Sequence, residues 1–392
     1  MQQTLETMVA TRHWIAQMLG NWEQEDVSVV NTSAHKLPPE VLAQIPNAWE
    51  ERMRQFGNEI GEEGKDWRIK PVKPYAHLEI RTEVGWTVRM FAGDQTRIEK
   101  YQQNPEGTVT LTHSPTNYAA SLATNNTDPW GLIRKYGGRT ALADGHHVTV
   151  GLTAKDENGR EAMQLLKREK ELAEYGGYTG TIAGSSLTPN LTPFDIAYRL
   201  SLQEAGILPT LNSEEYKRIG LSSSSLEEIE KVQGGTKVRF TDRRGKEAQA
   251  LLLPQNTLFT MIGLALNVDP DDYDKADKNK PHHKSEYLFL VRTNMPTSVL
   301  DDPSAGWARD YQHKGSFYVP IPELRKLAVE DFRTMLPPTS AVILAMIRAL
   351  YGQDAFNKTL QAVNAQHPIG DDHPLVEAVR EGRYALPELI TK

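Results

Sequence analysis

Four short segments between residues 75 and 113 alternate apolar and polar side chains, with turn residues between them. They read YAHLEIRTEV, GWTVRMFAG, TRIEKYQQ and GTVTLTH. Successive side chains of a strand point to opposite faces, so this alternation predicts the half-buried strands of an antiparallel meander. The apolar face of such a meander has to be covered by other parts of the chain.

Helical patterns on both sides of the meander are the predicted cover. Apolar side chains recur every three to four positions in three segments, which predicts amphipathic helices. These segments are residues 3–19, 38–60 and 159–177. Together with a strand predicted at 146–154, they indicate an N-terminal α+β domain over residues 1–175. The Gly- and Pro-rich stretch 176–191 predicts a boundary or a mobile loop after this domain.

Residues 192–253 carry the order of elements of a winged helix. Thr192, Asn212 and Ser224 are typical helix N-caps and predict three short helices. A hairpin follows, in which TKVRFTD and KEAQALLLP form the strands and RRG lies at the turn. The segment therefore resembles a winged helix, embedded before a C-terminal region of mixed helices and strands, residues 254–392.

The C-terminal region contains the longest apolar run of the chain, residues 341–347. The helix predicted around this run is apolar almost all round, so we expect it to lie at the centre of a core. Seven residues are too few to cross a bilayer. The N-terminal segment also lacks the uninterrupted apolar stretch of a signal peptide. These features predict a cytoplasmic protein without a membrane partner.

Cysteine is absent from all 392 residues, which removes disulfides, thiol nucleophiles and cysteine-ligated metals. The sequence also lacks HExxH, P-loop and G-x-S-x-G motifs, so no cofactor is predicted. One catalytic alternative remains: Asp144 and His146 could share a strand face. Adjacent histidines such as His146 and His147 point to opposite strand faces, so the pair is a poor metal site.

The strongest indication of function is a cluster of basic residues on the predicted hairpin. The chain has a formal charge of −7, yet five basic side chains fall within ten residues of this hairpin. They are Lys237, Arg239, Arg243, Arg244 and Lys246. Val238 and Phe240 alternate with them and should face the core. Arginine forks match phosphate oxygens, so this arrangement predicts phosphate contact by the hairpin.

Two further features bear on this prediction. The predicted third helix carries Glu227, Glu228 and Glu230, and carboxylates repel a phosphate backbone, so base reading by this helix is not expected. A second basic stretch, residues 275–284, adds Lys278, Lys280 and Lys284, which could contact phosphates or form a solvated loop.

The aromatic residues of the meander offer another route to nucleic acid. Tyr75, Trp86 and Phe91 could form a stacking platform for bases on a sheet face. The meander also needs large inward-facing residues, and this need favours core packing for the three side chains.

Overall, the sequence predicts an α+β protein: a helix-covered antiparallel meander, an embedded winged-helix-like module and a mixed C-terminal region. Its predicted function is that of a non-enzymatic adaptor or assembly subunit, with DNA, RNA or other proteins as partners. Two alternatives stay open at this stage. One is a structural subunit of a larger particle, and the other is an enzyme acting near Asp144 and His146.

Overall fold

The computed structural model describes residues 11, 14–125, 128–168, 178–184, 191–222, 226–241, 247–267, 283–302, 313–369 and 381. The described residues form helices together with several sheets that contain both antiparallel and parallel strand pairs, which confirms the α+β class.

The bounds of the elements follow in chain order. The strands are β1 (Trp14–Trp22), β2 (Val27–Asn31), β3 (Trp67–Lys70), β4 (His77–Thr82), β5 (Gly85–Met90), β6 (Asp94–Gln103), β7 (Val109–Asn117), β8 (His147–Lys155), β9 (Glu161–Arg168), β10 (Thr179–Gly180), β11 (Ile182–Gly184), β12 (Ile207–Leu208), β13 (Glu227–Val232), β14 (Gly235–Thr241), β15 (Glu247–Leu252), β16 (Phe259–Asn267), β17 (Lys284–Pro296) and β18 (His313–Pro320). The helices are α1 (Pro39–Glu62), α2 (Tyr118–Asn125), α3 (Pro129–Tyr136), α4 (Pro193–Leu200), α5 (Ser213–Ile219), α6 (Thr297–Leu300), α7 (Ile321–Glu330), α8 (Pro337–Tyr351) and α9 (Gln353–Gln366).

The largest sheet in the described part of the chain has eight strands. Its order is β1-β16-β17-β8-β9-β10, with β11 paired to β8 and β18 paired to β9. β8 and β17 run parallel, and the other pairs are antiparallel. This central sheet therefore takes strands from both the 1–175 and the 254–392 regions.

Both faces of the central sheet are covered. One face packs against α7, α8 and α9, and the other packs against α4 and the strands around β14. Helix α8 is buried from residue 339 to residue 347, which confirms its predicted central position. A Cβ atom on Gly151 of β8 would lie 2.5 Å from the Met346 sulfur of α8, so helix and sheet are in close contact.

Two helices predicted from the sequence are wrong because these segments form strands of the central sheet. Residues 14–22, within the predicted helix 3–19, form β1 and pair with β16. Residues 161–168, within the predicted helix 159–177, form β9. A strand covered on both faces has apolar residues at consecutive positions, so it loses the period of two that identifies a half-buried strand.

The meander strands are present, but they lie in two separate sheets of the described chain. β4 and β5 pair with β3, while β6 and β7 pair with β2. β2 and β7 run parallel, so the second sheet is not a simple meander. The helical cover predicted over residues 38–60 is α1, whose buried side chains share a core with α2 and β4.

The 192–253 segment begins as the sequence predicts. Helix α4 starts at a Thr192–Asp195 capping box, and α5 starts at an Asn212–Glu215 capping box. The predicted third helix is wrong, because residues 227–232 form the strand β13 at the edge of a four-stranded sheet of described residues. Residues 223–225, which include the predicted cap Ser224, lie outside the described residues. The order helix, short strand, helix, three strands lacks the third helix of a winged helix.

No helix among the described residues is both long and apolar enough to cross a membrane.

Candidate nucleic-acid interface

The predicted hairpin exists and is anchored on one side. β14 and β15 pair in antiparallel register from Thr236–Leu252 to Thr241–Glu247. Val238 and Phe240 are buried in the core, as the alternation predicted. The two intervening cations, Lys237 and Arg239, therefore lie on the opposite, half-exposed face of β14.

The structure gives no position for most of the other predicted phosphate contacts. Arg243, Arg244 and Lys246 belong to the predicted hairpin tip, and Lys278 and Lys280 belong to the second basic stretch of the sequence. All five lie outside the described residues. Lys284 is described: it begins β17, is half-buried and pairs in register with Asn267.

Strand β13 places carboxylates beside the cations of β14. Glu227 lies opposite Arg239 and accepts a hydrogen bond from its guanidinium at 3.4 Å. Glu230 lies opposite Lys237 in the register. Carboxylates this close neutralise part of the positive charge that a phosphate would meet. The face of β13 and β14 is therefore mixed in charge, although the sequence of β14 alone is basic.

The catalytic alternative falls in a buried polar centre near the starts of β8 and β17. Asp144 is fully buried and has a φ of 45°, a left-handed conformation that aspartate tolerates better than most residues. Its carboxylate pairs with Arg139 and lies 3.3 Å from His283 Nδ1. Its backbone N–H donates to Asn125 Oδ1 at 2.9 Å. These contacts join three separate segments of the chain.

The charge state of this centre follows from its contacts. Burial alone would raise the pKa of Asp144, but the Arg139 guanidinium and His283 outweigh burial and hold the pKa far below its usual range. Burial lowers the pKa of His283, so the imidazole is neutral at neutral pH. An ionised carboxylate only accepts, so His283 Nδ1–H donates to Asp144. The centre is a stably charged carboxylate held by fixed donors.

His146 does not join Asp144 in a catalytic pair. Its Nε2 lies 3.1 Å from the Thr96 hydroxyl, and its ring packs against those of His113 and Tyr287. Burial, reinforced by His113, lowers the pKa of His146 well below its usual value. Both Asp144 and His146 are fully buried, so neither side chain faces solvent. The arrangement is that of a packed core.

A cavity of about 500 Å³ lies at the other end of β8. Lys155, Glu161 and Arg292 contribute polar groups to its lining, and Arg292 donates two hydrogen bonds to Glu161 at 2.9 and 2.7 Å. Lys155 and His147 are the two ends of β8, eight steps apart along the strand, a distance of roughly 26 Å. The cavity therefore does not give access to Asp144 or His146. In the described part of the chain, no cluster of three or more His, Cys, Asp or Glu side chains could hold a metal ion.

Sequence reasoning missed Glu286, a buried acid on β17. The Thr149 hydroxyl donates to Glu286 at 3.1 Å, and the Asn267 amide donates at 3.3 Å. Burial raises the pKa of Glu286 to about 8. In the sequence, the feature that points to a buried acid is a charged residue next to the apolar run of the strand segment SEYLFLVRT.

Two aromatic side chains of the meander are not in the core. Trp86 is 38% exposed and Phe91 is 57% exposed, so the core packing favoured from the sequence is wrong for both. Tyr75 is half-buried against the α1 core and fits the prediction better.

Comparisons with known proteins give no family. No family model matches the chain, and no curated protein matches it. Solved structures with partial similarity include the Nudix hydrolase RenU from M. Smegmatis, with 11% identity, a TM-score of 0.26, and coverage of 53% of this chain and 86% of that chain. A MutT protein from Methanosarcina mazei Go1 has 12% identity, a TM-score of 0.22, and coverage of 56% of this chain and 96% of that chain. TM-scores this low carry no argument about fold or activity.

Proposed function

We propose that the protein is a non-enzymatic, nucleic-acid-associated adaptor or assembly subunit that contacts phosphates through the β14–β15 hairpin. The observation that carries this proposal is the one-sided anchoring of the hairpin. Val238 and Phe240 fix one face in the core, and Lys237 and Arg239 lie on the other face. A rigid support of this kind reduces the conformational entropy lost when cations engage a phosphate backbone.

The carboxylates of β13 determine which cations of the hairpin are available to bind a phosphate. Arg239 is already engaged by Glu227, so a phosphate has to compete with that ion pair. In the sequence, Asp242 is the one acidic residue next to Arg243 or Arg244, and the acidic residue that follows them is Glu247. We therefore assign the main phosphate contact to the tip, with Lys246 beside it. Lys278, Lys280 and Lys284 form the proposed second contact.

The competing functions lack a comparable observation. A catalytic role for Asp144 and His146 requires substrate access, and both side chains are buried. A purely structural role in a larger particle would use the edge strand β13 for pairing with another chain. The exposed charges of β13 disfavour such pairing, because charged edges are a common protection against strand addition.

The test is a double substitution at the tip, Arg243→Ala with Arg244→Ala. We expect weaker binding to DNA or RNA, about equally across sequences, and a salt dependence whose slope is shallower by up to about two. Fluorescence anisotropy across a salt series measures both effects.

The matched control is Arg325→Ala with Lys326→Ala, which removes two exposed cations from α7. This control should bind as the parent does. Equal binding by the tip variant and the parent, or parent binding that is insensitive to salt, would contradict the proposal.

A further inference from the structure

The small sheet β3–β5 has an outer face of unusual composition. Cross-strand partners share a face of a sheet, and the register pairs Arg68 with Glu79, Glu79 with Val88, and Arg81 with Trp86. The outer face therefore presents arginines, a carboxylate, a valine and an indole side by side.

The inner face of the same sheet holds it in place. Trp67 and Ile69 are half-buried, and Leu78 is fully buried in the core shared with α1. Trp67 packs against Gly57 of α1 so closely that a Cβ atom there would lie 2.4 Å from the indole. The outer face is thus carried by a sheet that is fixed to a long helix.

Exposed apolar side chains are concentrated on and around this sheet. Eleven large hydrophobic side chains are exposed among the described residues, and five of them fall within residues 72–91. They are Val72, Val84, Trp86, Val88 and Phe91. Single exposed hydrophobic residues are ordinary, but Trp86 and Val88 lie on the same face of β5, and neighbouring exposed hydrophobic residues are typical of a surface that binds a partner.

The charge of this segment indicates what kind of partner it binds. Residues 65–91 contain six Lys or Arg against three Asp or Glu, in a chain whose formal charge is −7. Glu79 is nearly buried, and it is engaged by Arg68 at 2.7 Å and Lys70 at 3.3 Å. The hydrogen bond from Arg68 lowers the pKa of Glu79, which keeps the carboxylate ionised beneath the two cations. Arg81 pairs with the exposed Asp66 at 3.5 Å. Three cations, Arg68, Lys70 and Arg81, thus stand against two carboxylates, and the face has a net positive charge.

The aromatic rings are held beside these cations. The Arg68 guanidinium lies over the Trp86 ring, 4.2 Å from its centroid. Phe91 lies edge-on to His77, with ring centroids 6.4 Å apart. Cation–π contact of this kind orients an indole and places positive charge over one of its faces. Rings and cations together match the two parts of a nucleotide, a flat base and a phosphate.

We propose that the outer face of β3–β5 is a second binding surface, specific for single-stranded nucleic acid. Bases stack on Trp86 and Phe91, while Arg68, Lys70 and Arg81 contact phosphates. The bases of a duplex are already stacked on each other, so this face discriminates against duplexes. This inference rests on the proposed function only for the class of partner, nucleic acid. The residues of the β3–β5 face are different from those of the hairpin.

The test compares a single-stranded oligo(dT) or oligo(rU) probe with a duplex of equal length, using the full chain and fluorescence anisotropy. Trp86→Ala with Phe91→Ala should weaken single-strand binding about tenfold or more and leave duplex binding within about twofold of the parent. Trp86→Phe should retain most of the single-strand binding, because it keeps a stacking ring. The matched control is Leu258→Ala with Tyr351→Ala, two side chains that are also about half exposed.

A second variant covers the case in which the aromatic double variant does not fold. Val88→Glu places a negative charge on an exposed position of the same face and should also lower single-strand binding, by about fivefold. Circular dichroism and thermal unfolding establish that each variant is folded.

The outcomes separate this inference from the proposed function. The hairpin variant should weaken binding to single strands and duplexes alike, whereas the aromatic variant should affect single strands alone. If folded Trp86/Phe91 and Val88 variants bind single strands as the control does, the inference is wrong and the hairpin proposal stands. If only these variants lose binding while the hairpin variant does not, the hairpin proposal is wrong. Capture of a protein by this face, with no nucleic-acid binding, would overturn both.

Discussion

Two carboxyl groups, Asp144 and Glu286, are buried near the starts of the parallel strands β8 and β17. Asp144 is ionised at neutral pH, whereas Glu286 is protonated. Asp144 contacts the Arg139 guanidinium and His283, and its pKa lies far below the usual range. Among the described residues, Glu286 accepts hydrogen bonds from the neutral groups of Thr149 and Asn267, and burial raises its pKa to about 8.

The contrast shows that burial alone does not decide the charge of an acid in this protein. Loss of solvent disfavours the ionised form at both positions. At Asp144 a full positive charge outweighs that cost. At Glu286 the two neutral donors and the nearby Lys284 do not outweigh the cost of burial.

This contrast also bears on the catalytic alternative. A general acid needs a pKa near the working pH and access to its substrate. Asp144, which the catalytic alternative names, has neither property. Glu286 has the first property but is buried, with only 4% of its surface exposed. Both groups are therefore better explained as parts of the folded core.

The largest expected effect comes from removing the cation beside Asp144. Arg139→Met keeps the apolar stem but leaves a buried carboxylate without its guanidinium. We expect a loss of about 3–5 kcal/mol in the free energy of unfolding. Urea unfolding at pH 7 measures this loss.

Two variants control this measurement. Arg139→Met with Asp144→Asn should recover about half of the loss, because asparagine is neutral and tolerates the left-handed backbone. Arg160→Met breaks an exposed pair with Asp156 and should cost at most about 1 kcal/mol. A loss at Arg139 as small as that at Arg160 would show that Asp144 does not depend on its counter-charge.

The next effect is the contribution of the Glu286 carboxyl to the pH dependence of stability. In the unfolded chain this carboxyl ionises above about pH 4.5, whereas in the folded protein it keeps its proton up to about pH 8. The folded state therefore binds more protons in this window, and its stability falls as pH rises. We expect Glu286→Gln to gain on the order of 1 kcal/mol per pH unit relative to the parent between pH 5 and 8.

Urea unfolding of both proteins at pH 5, 6, 7 and 8 provides this comparison. The difference between the two curves should level off above about pH 8, where the folded carboxyl also ionises. Parallel curves for parent and variant would mean that Glu286 is ionised in the fold, as Asp144 is, and the contrast between the two acids would disappear.

The smallest effect concerns one neutral donor. Thr149→Val removes the hydroxyl that donates to Glu286 while keeping the branched shape of the side chain. We expect a loss of about 1 kcal/mol at pH 6, where the acid is protonated, and a larger loss above pH 8. A loss that is the same at both pH values would indicate that Thr149 does not contact the ionised form.

Local chemistry in the sequence was enough to predict several elements. The capping boxes at Thr192 and Asn212 start α4 and α5, and the alternation around Val238 predicts the buried face of β14. Such features depend on neighbours only a few residues apart. The buried helix α8 was predictable for a related reason, since apolar residues on every side leave no face for solvent.

Strand pairing explains where the predictions were wrong. β1, β9 and β13 were predicted as helices, but β1 pairs with β16 and β9 pairs with β18, both distant in the chain, while β13 pairs with the next strand, β14. The pattern of Glu227 and Glu230 suits a helix surface as well as a strand. Only the register with Arg239 and Lys237 makes it an edge strand with paired charges.

The sequence by itself determined the α+β class, the hairpin with its buried and basic faces, and the helix that forms the centre of one core. Tertiary structure alone decided that β13 offsets the charge of the hairpin and that Trp86 and Phe91 lie outside the core. It also decided that Asp144 is ionised while Glu286 is protonated. The physical reason is distance along the chain. Caps and alternation act within a few residues, whereas the charge, exposure and protonation of a side chain depend on groups that only folding brings within a few ångströms.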